Sequence, residues 1–190
     1  KIDKNDDIKK EIELLLQQAN LYAFNLAKTN KSKYRRILLV RKDHIENLEK
    51  IIADNRTWVV SIKSAGNILR GENYVYAFPE VRLNKNITKK GEVIAYENIY
   101  LANSDSEAIR KKIKFLLSST LAEVKRRGSL SSELKVNATQ INNLGKNLVS
   151  REKGDIQIIA KAIDDSQSAD KVSISIEMKY LERSLFNNNK

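Results

Sequence analysis

The chain has 190 residues, 41% hydrophobic and 31% charged, with 35 Lys and Arg against 24 Asp and Glu and a formal net charge of +11. The absence of cysteine removes disulfides, thiolate metal sites and thiol nucleophiles together and suits a reducing cytoplasm. No apolar run approaches the roughly 18 residues that cross a bilayer, so no membrane span is expected, and the positive surplus favours nucleic acid or an acidic protein as partner.

The first thirty residues predict a helix. Ile8, Ile12, Leu15, Ala19, Tyr22 and Leu26 follow the a/d alternation of a coiled coil, while Leu16 and Ala23 widen the stripe enough for a helix packed on a domain. Three heptads are marginal alone, so the helix needs a partner helix or the domain, and self-association through this seam is expected. No capping motif is visible before it, which allows the seam to continue upstream in a longer protein. Thr29 to Ser32 reads as the exit loop.

"RRILLVRKDHIENLEKIIADN" then reads as strand, capped helix and loop. Ile37 to Val40 is an inner strand, Asp43 and Glu46 form a capping-box-like start, and Ile45, Leu48, Ile51 and Ile52 line one helical face. Three strand-like stretches follow. In "WVVSIKS", Trp58, Val60 and Ile62 alternate with wetter positions; Tyr74 to Leu83 contains Pro79, which predicts an edge or a bulge; Glu92 to Tyr100 is apolar on both faces. The longest helix comes next, with Ser104 and Glu107 as a capping box, a buried stripe through Ile109, Ile113, Leu116, Leu117, Leu121 and Val124, and Gly128 as its stop. A weaker helix runs around Ile141, Leu144, Leu148 and Val149. Strands over 156–163 and 172–180 are joined by the loop "DDSQSADK", and "FNNNK" reads as a disordered tail. "RGE", "KGE" and "KGD" each precede a strand, which is turn chemistry with glycine supplying a positive φ.

These elements predict an α/β (or α+β) chain with a mixed, partly antiparallel sheet and packed helices. Residues 1–30 form a helix ending a coiled coil, 31–181 one globular domain and 182–190 a polar tail. Three consecutive strands before a long helix are also how ribonuclease-H-like domains begin. Such enzymes carry an aspartate on the first strand, where this chain has Ser61, Lys63 and Ser64. Asp43 reads as a helix cap, and Asp164 and Asp165 as a solvated pair, so the converging carboxylates of a two-metal nuclease are missing.

Other chemistry is no better supported. His44 is the single histidine, in a helical first turn without a ligand cluster, so no metal or cofactor is expected. Neither a phosphate-binding loop nor a nucleophile elbow is present, and Gly66 and Gly71 lead into a strand, where a phosphate loop would lead into a helix. Binding fares better than catalysis. Arg35, Arg36, Arg41 and Lys42 flank the first strand, Lys85, Lys89 and Lys90 crowd one loop, and Lys125, Arg126 and Arg127 end the long helix. If exposed, Tyr74, Tyr76 and Tyr96 are able to stack on bases, and contacts of this kind are directed at the backbone and sensitive to salt.

The strings "ILLVRKDHIENLEKII", "WVVSIKSAGNILRGE" and "VRLNKNITKKGEVIA" resemble the C-terminal domain of a family of unknown function typical of cyanobacteria, over roughly residues 20 to 180. The resemblance implies a domain that follows a long coiled coil, often with a membrane-associated N-terminus, and it brings no active site. Two readings result: a non-catalytic binding and assembly domain ending a coiled-coil protein, or a nucleic-acid-binding domain of ribonuclease-H-like ancestry with weak or no activity.

Overall fold

A computed structural model describes residues 1–2, 7–29, 33–54, 56–101, 105–150 and 154–181. The readings placed on residues 30–32, Asn55, Ser104, Lys153 and the tail 182–190 lie outside the described residues. The chain divides into two units, Lys1–Asn84 and Lys85–Lys190. The division therefore falls between Asn84 and Lys85, where the sequence suggests a break after residue 30, because the N-terminal helix is spent on the core of the first unit. Both units combine helices with parallel and antiparallel strand pairs, a mixed α/β architecture.

The first unit holds α1 (Ile8–Ala27), β1 (Leu38–Val40), α2 (Lys42–Ile52), β2 (Trp58–Ser64) and β3 (Val75–Leu83), with sheet order β1-β3-β2. Asp7 caps α1 by accepting from the Lys10 amide, a cap the sequence reading overlooks. Along α1 the buried positions are Ile12, Asn20, Ala23, Phe24 and Ala27, whereas Tyr22 is 68% exposed and Leu26 45%. The buried stripe thus follows the 3.6-residue period of a helix laid on its own unit and leaves the 3.5-residue seam midway. Ile8, Ile12 and Leu15 pack with Leu48, Ile52 and Trp58, and Ala19 packs with Ile37, Leu38 and Val75.

Asn20 fastens α1 to the start of β1. Its buried Oδ1 accepts from the amides of Ile37 (2.8 Å) and Leu38 (3.0 Å), and its Nδ2 donates to the Tyr34 hydroxyl (3.1 Å). The cap of α2 differs from the expected box: Arg41 is the N-cap residue without a side-chain bond, and Asp43 pairs with Arg41 at 2.6 Å. Pro79 sits in the central strand, not on an edge. It opposes Ile62 on β2, and β1 has already ended at the Val40–Ala77 pair, so the missing N–H faces no strand there.

The second unit holds β4 (Asn86–Thr88), β5 (Val93–Tyr100), α3 (Ser106–Arg126), β6 (Lys135–Val136), α4 (Ala138–Val149), β7 (Asp155–Ala162), β8 (Ser166–Gln167) and β9 (Ser173–Tyr180). Its main sheet has the order β5-β7-β9-β6, and β4 pairs with β8. Since β2 and β3 belong to one sheet and β5 to another, the three consecutive strands do not open a single sheet. The ribonuclease-H-like reading loses the observation on which it rested. Ile156, Ile158, Ala160 and Ala162 of β7 form one core with Ile109, Ile113 and Leu116 of α3 and Leu144 and Leu148 of α4.

A bulge settles the two-faced pattern of β5. Val93 opposes Lys161 and Ala95 opposes Ala160, so one extra residue enters β5 between them. Ile94, Ala95 and Ile99 then join the core, and Tyr96, Asn98 and Tyr100 share the outer face.

The glycine turns are closely related. In 69–72 and 89–92, Gly71 and Gly91 have φ of 88° and 79°. In each, the glutamate N–H donates to the first residue's carbonyl and its carboxylate accepts from that residue's amide. Residues 167–170 repeat the bonding with Asp170 and no glycine.

Candidate functional site

A basic surface of the second unit starts from α3. Asp105 caps the helix by accepting from the Ala108 amide at 2.7 Å, one residue later than the capping box read from sequence. Ile109, Ile113, Leu116, Thr120 and Val124 turn inward, with the Thr120 hydroxyl donating to the Leu116 carbonyl. That stripe dictates the other face. Arg110, Lys111, Lys114, Lys125 and Arg126 are exposed along the solvent side, with the small Ser118 and Ala122 between them. Arg110 to Arg126 spans about 24 Å at the helical rise of about 1.5 Å per residue.

Pairing distinguishes these cations. Lys111 meets Glu107 at 2.8 Å and Arg126 meets Glu123 at 2.8 Å, whereas Arg110 and Lys114 have no ion-pair partner among the described residues. Phe115, 60% exposed, lies one helical turn beyond Lys111. The helix ends in a Schellman motif: the Ser129 amide donates to Val124 O (3.0 Å) and the Gly128 amide to Lys125 O (2.9 Å), with Gly128 at φ 108°.

Arg127 brings the loop before β5 against this end of α3. Its guanidinium donates to Glu123 (2.8 Å), Glu92 (2.7 Å) and the Ile87 carbonyl (3.2 Å). On either side of β4, the Lys85 amide donates to Ser168 Oγ and the Lys90 amide to Asp165 Oδ1, so Asp165 serves as a turn acceptor. The exposed side chains of Lys85, before β4, and of Lys89 and Lys90, after it, thus flank a short strand tied to the basic end of α3. Arg126 and Arg127 hold the Glu123 carboxyl down from 4.5 to about 2, and the Lys89 amide, then Arg127, lower that of Glu92.

That depressed value carries a sign. Glu123 contributes stability that is full above about pH 4.5 and is lost as pH falls toward about 2. Glu123→Gln is expected to flatten the loss of urea stability across that window and to lower stability at neutral pH. Parallel acid limbs in variant and parent would show that the network contributes nothing.

The ten basic residues singled out by sequence are divided between the units. Arg35, Arg36, Arg41 and Lys42 lie in the first. Arg35 bonds Asn73, Lys42 pairs with Glu46 at 3.5 Å, and Arg36 borders a recess with Glu13, Asn20 and Tyr34. Lys85, Lys89, Lys90, Lys125, Arg126 and Arg127 lie in the second and come together at one end of α3. Arg110, Lys111 and Lys114 were missed. Arg110-Lys111-Lys112 is itself a contiguous basic run, and the exposure of Arg110, Lys111 and Lys114 follows from the complement of the buried stripe.

The tyrosines are exposed: Tyr74 and Tyr76 in the first unit and Tyr96 in the second. On the outer sheet face around Tyr96, Lys161 pairs with Glu177 at 2.5 Å, and Lys179 stands opposite Gln157. With one of these two lysines paired, the sheet face is a weaker attractor of phosphate than α3. His44 keeps Nδ1 buried without a hydrogen-bond partner, in a recess of about 260 Å³ with Ile51, Phe78 and Pro79 and no carboxylate or serine on its wall. Among the described residues, no three His, Asp or Glu side chains are grouped to hold a metal. No described helix is long and apolar enough to cross a membrane.

No protein-family model and no solved structure matches the chain. An uncharacterized protein of Nostoc sp. (strain PCC 7120), alr4393, is 28% identical over 157 residues, 82% of this chain. The chain spans 31% of that relative's length. A similarity of this degree assigns neither a family nor an activity.

Proposed function

We propose that the chain is a non-catalytic binding domain that engages nucleic acid through its phosphate backbone, with the solvent face of α3 as the contact surface. The observation that carries this reading is the alignment of Arg110, Lys111, Lys114, Lys125 and Arg126 on one exposed helical face, beside the loop of Lys89 and Lys90. A basic stripe along one helix is the electrostatic footprint of phosphate binding. The net charge of +11 adds long-range attraction. Nothing on this face reads base edges, so the binding is expected to be indifferent to sequence. A chain without cysteine is compatible with a reducing cytoplasm.

The test is the affinity for a fluorescent DNA duplex as salt is raised. If about five phosphates are engaged, log K falls with log salt at a slope of about −4.5, and affinity drops about 500-fold between roughly 50 and 200 mM salt. A single-stranded RNA of the same length gives a shallower slope if the same cations act. No binding to either polymer at the lower salt eliminates the reading.

A further inference from the structure

The exposed face of the first sheet supports an inference independent of α3. Val75 and Ala77 of β3 are buried with Ala23, Phe24 and Ala27 of α1. Alternation therefore turns Tyr74, Tyr76 and Phe78 to the opposite face, with Tyr74 just ahead of the strand. They are 59, 68 and 41% exposed, and Leu39 of β1, the partner of Tyr76, is exposed beside them. No described helix covers this face at these positions. Phe78, the least exposed of the three, also borders the recess at His44. The ring contacts among the described residues are those of Phe24 with Tyr34 and of Arg56 with Trp58. None of the three rings therefore stacks on another ring or on a cation.

Spacing and charge select the occupant. Two-residue steps along a strand set successive rings about 6.7 Å apart. One strand of a duplex advances only about 3.4 Å per nucleotide, so its bases stay on one another and do not match this interval. A single strand can part its bases and lay one on each ring. Arg35 donates to the Asn73 side chain, directly before Tyr74, and has no carboxylate partner among the described residues. At the other end, Lys63 stands opposite Phe78, and Lys63 and Arg82 share one carboxylate, that of Glu80. In the preceding turn, Arg70 and Glu72 offset each other. Cations thus outnumber acids along the stripe. A second copy of the chain would bring the same surplus, which disfavours it as the occupant.

We propose that Tyr74, Tyr76 and Phe78 form a stacking platform for a single-stranded nucleic acid, with Arg35 and Lys63 at its two ends for the phosphates. Every base has a π face to offer, so the platform tolerates any sequence. It lies in the other unit from α3 and uses none of that helix's cations, so either surface can fail without the other.

The experiment compares three fluorescent ligands: a single-stranded DNA of about ten nucleotides, an abasic strand of the same length and charge, and a duplex. The parent is expected to bind the abasic strand about tenfold more weakly than the intact one. Tyr76→Ala is expected to weaken binding of the intact strand about tenfold, within the range for loss of a stacking ring, and to leave duplex affinity within about twofold. Tyr76→Phe keeps the ring and is expected to keep the parent affinity, which a role for the hydroxyl would not allow. Equal affinity of the parent for intact and abasic strands overturns the proposal, as does no binding of the intact strand at low salt. An equal loss of duplex affinity in Tyr76→Ala also overturns it. Far-UV circular dichroism checks folding; should the alanine variant fail, the abasic comparison needs no variant and still decides. A parent dimer in sedimentation that Tyr76→Ala dissolves would give this face to a second copy, and the proposal falls.

Discussion

Asn20→Ala is expected to destabilise the first unit by about 3 kcal/mol, since two buried amides lose their acceptor at about 1–3 kcal/mol each. The bonds concerned are those of Ile37 and Leu38 to Asn20 Oδ1. Asn20 is only 6% exposed, which leaves water little room to replace the lost oxygen. The consequence reaches the sheet, because β1 has three residues and its other pairing is the short parallel ladder to Val75, Tyr76 and Ala77. Hydrogen exchange provides the local readout: the Ile37 and Leu38 amides accelerate in the variant, while those of β7 in the second unit serve as the internal reference. Asn20→Asp keeps the acceptor and loses the donor to Tyr34, so its loss is expected to be smaller at neutral pH only if burial of the charge costs less than the two retained bonds gain. Unchanged exchange at Ile37 and Leu38 in the alanine variant would mean that the clamp does not hold β1.

Reversing Arg110 and Lys114 to glutamate is expected to weaken duplex binding by about 100-fold at low salt, about 1.4 kcal/mol for each tenfold step. The salt slope becomes shallower by about 1.8 as two phosphate contacts are lost. Both side chains are exposed and without ion-pair partners among the described residues, so folding stability is expected to stay within about 0.5 kcal/mol of the parent. The comparison that gives this test its force is the reversal of Arg35 and Arg36, which changes net charge equally but lies in the other unit. Equal losses from the two pairs would point to overall charge and against the α3 face. A loss confined to Arg110 and Lys114 supports it.

The long elements were legible in the sequence because burial repeats along them. In α3 the apolar residues recur with the helical period over 21 residues, and in β7 and β9 alternation is nearly unbroken. The cap of α3 moved by one residue because Asp105 competes with Ser104 for the same role, and either residue type caps well. Three strands escaped notice, β4, β6 and β8, since two or three residues have no period to read. They exist through distant pairings such as Lys85 with Ser168, 83 positions apart. The division at Asn84 was hidden for a related reason: neither proline nor a glycine-rich linker marks it.

For the candidate site, adjacency in sequence did not separate paired cations from available ones: in the run Arg110-Lys111-Lys112, Lys111 and Lys112 are both ion-paired. The run Lys125-Arg126-Arg127 drew attention, yet Arg127 is turned inward between Glu92 and Glu123, and the more available cations are Arg110 and Lys114, about 4.7 and 3.6 turns upstream of it. The seam on α1 shows the converse case. A spacing of 4 and 3 fits both a coiled coil and a packed amphipathic helix, and Phe24 and Ala27, one position past Ala23 and Leu26, tip the balance toward packing.

The bulge in β5 sets a rule for variation in this region. With one extra residue between Val93 and Ala95, two consecutive side chains, Ile94 and Ala95, turn to the core while Val93 and Tyr96 stay outside. Removing Ile94 would restore plain alternation and leave Ala95 against Ala160 and Ile99 against Ile156, at the cost of one buried side chain. Relatives that keep this sheet are therefore expected to accept a one-residue gap at Ile94 far more readily than one between Tyr96 and Ile99, where a lost residue would turn Ile99 out of the core.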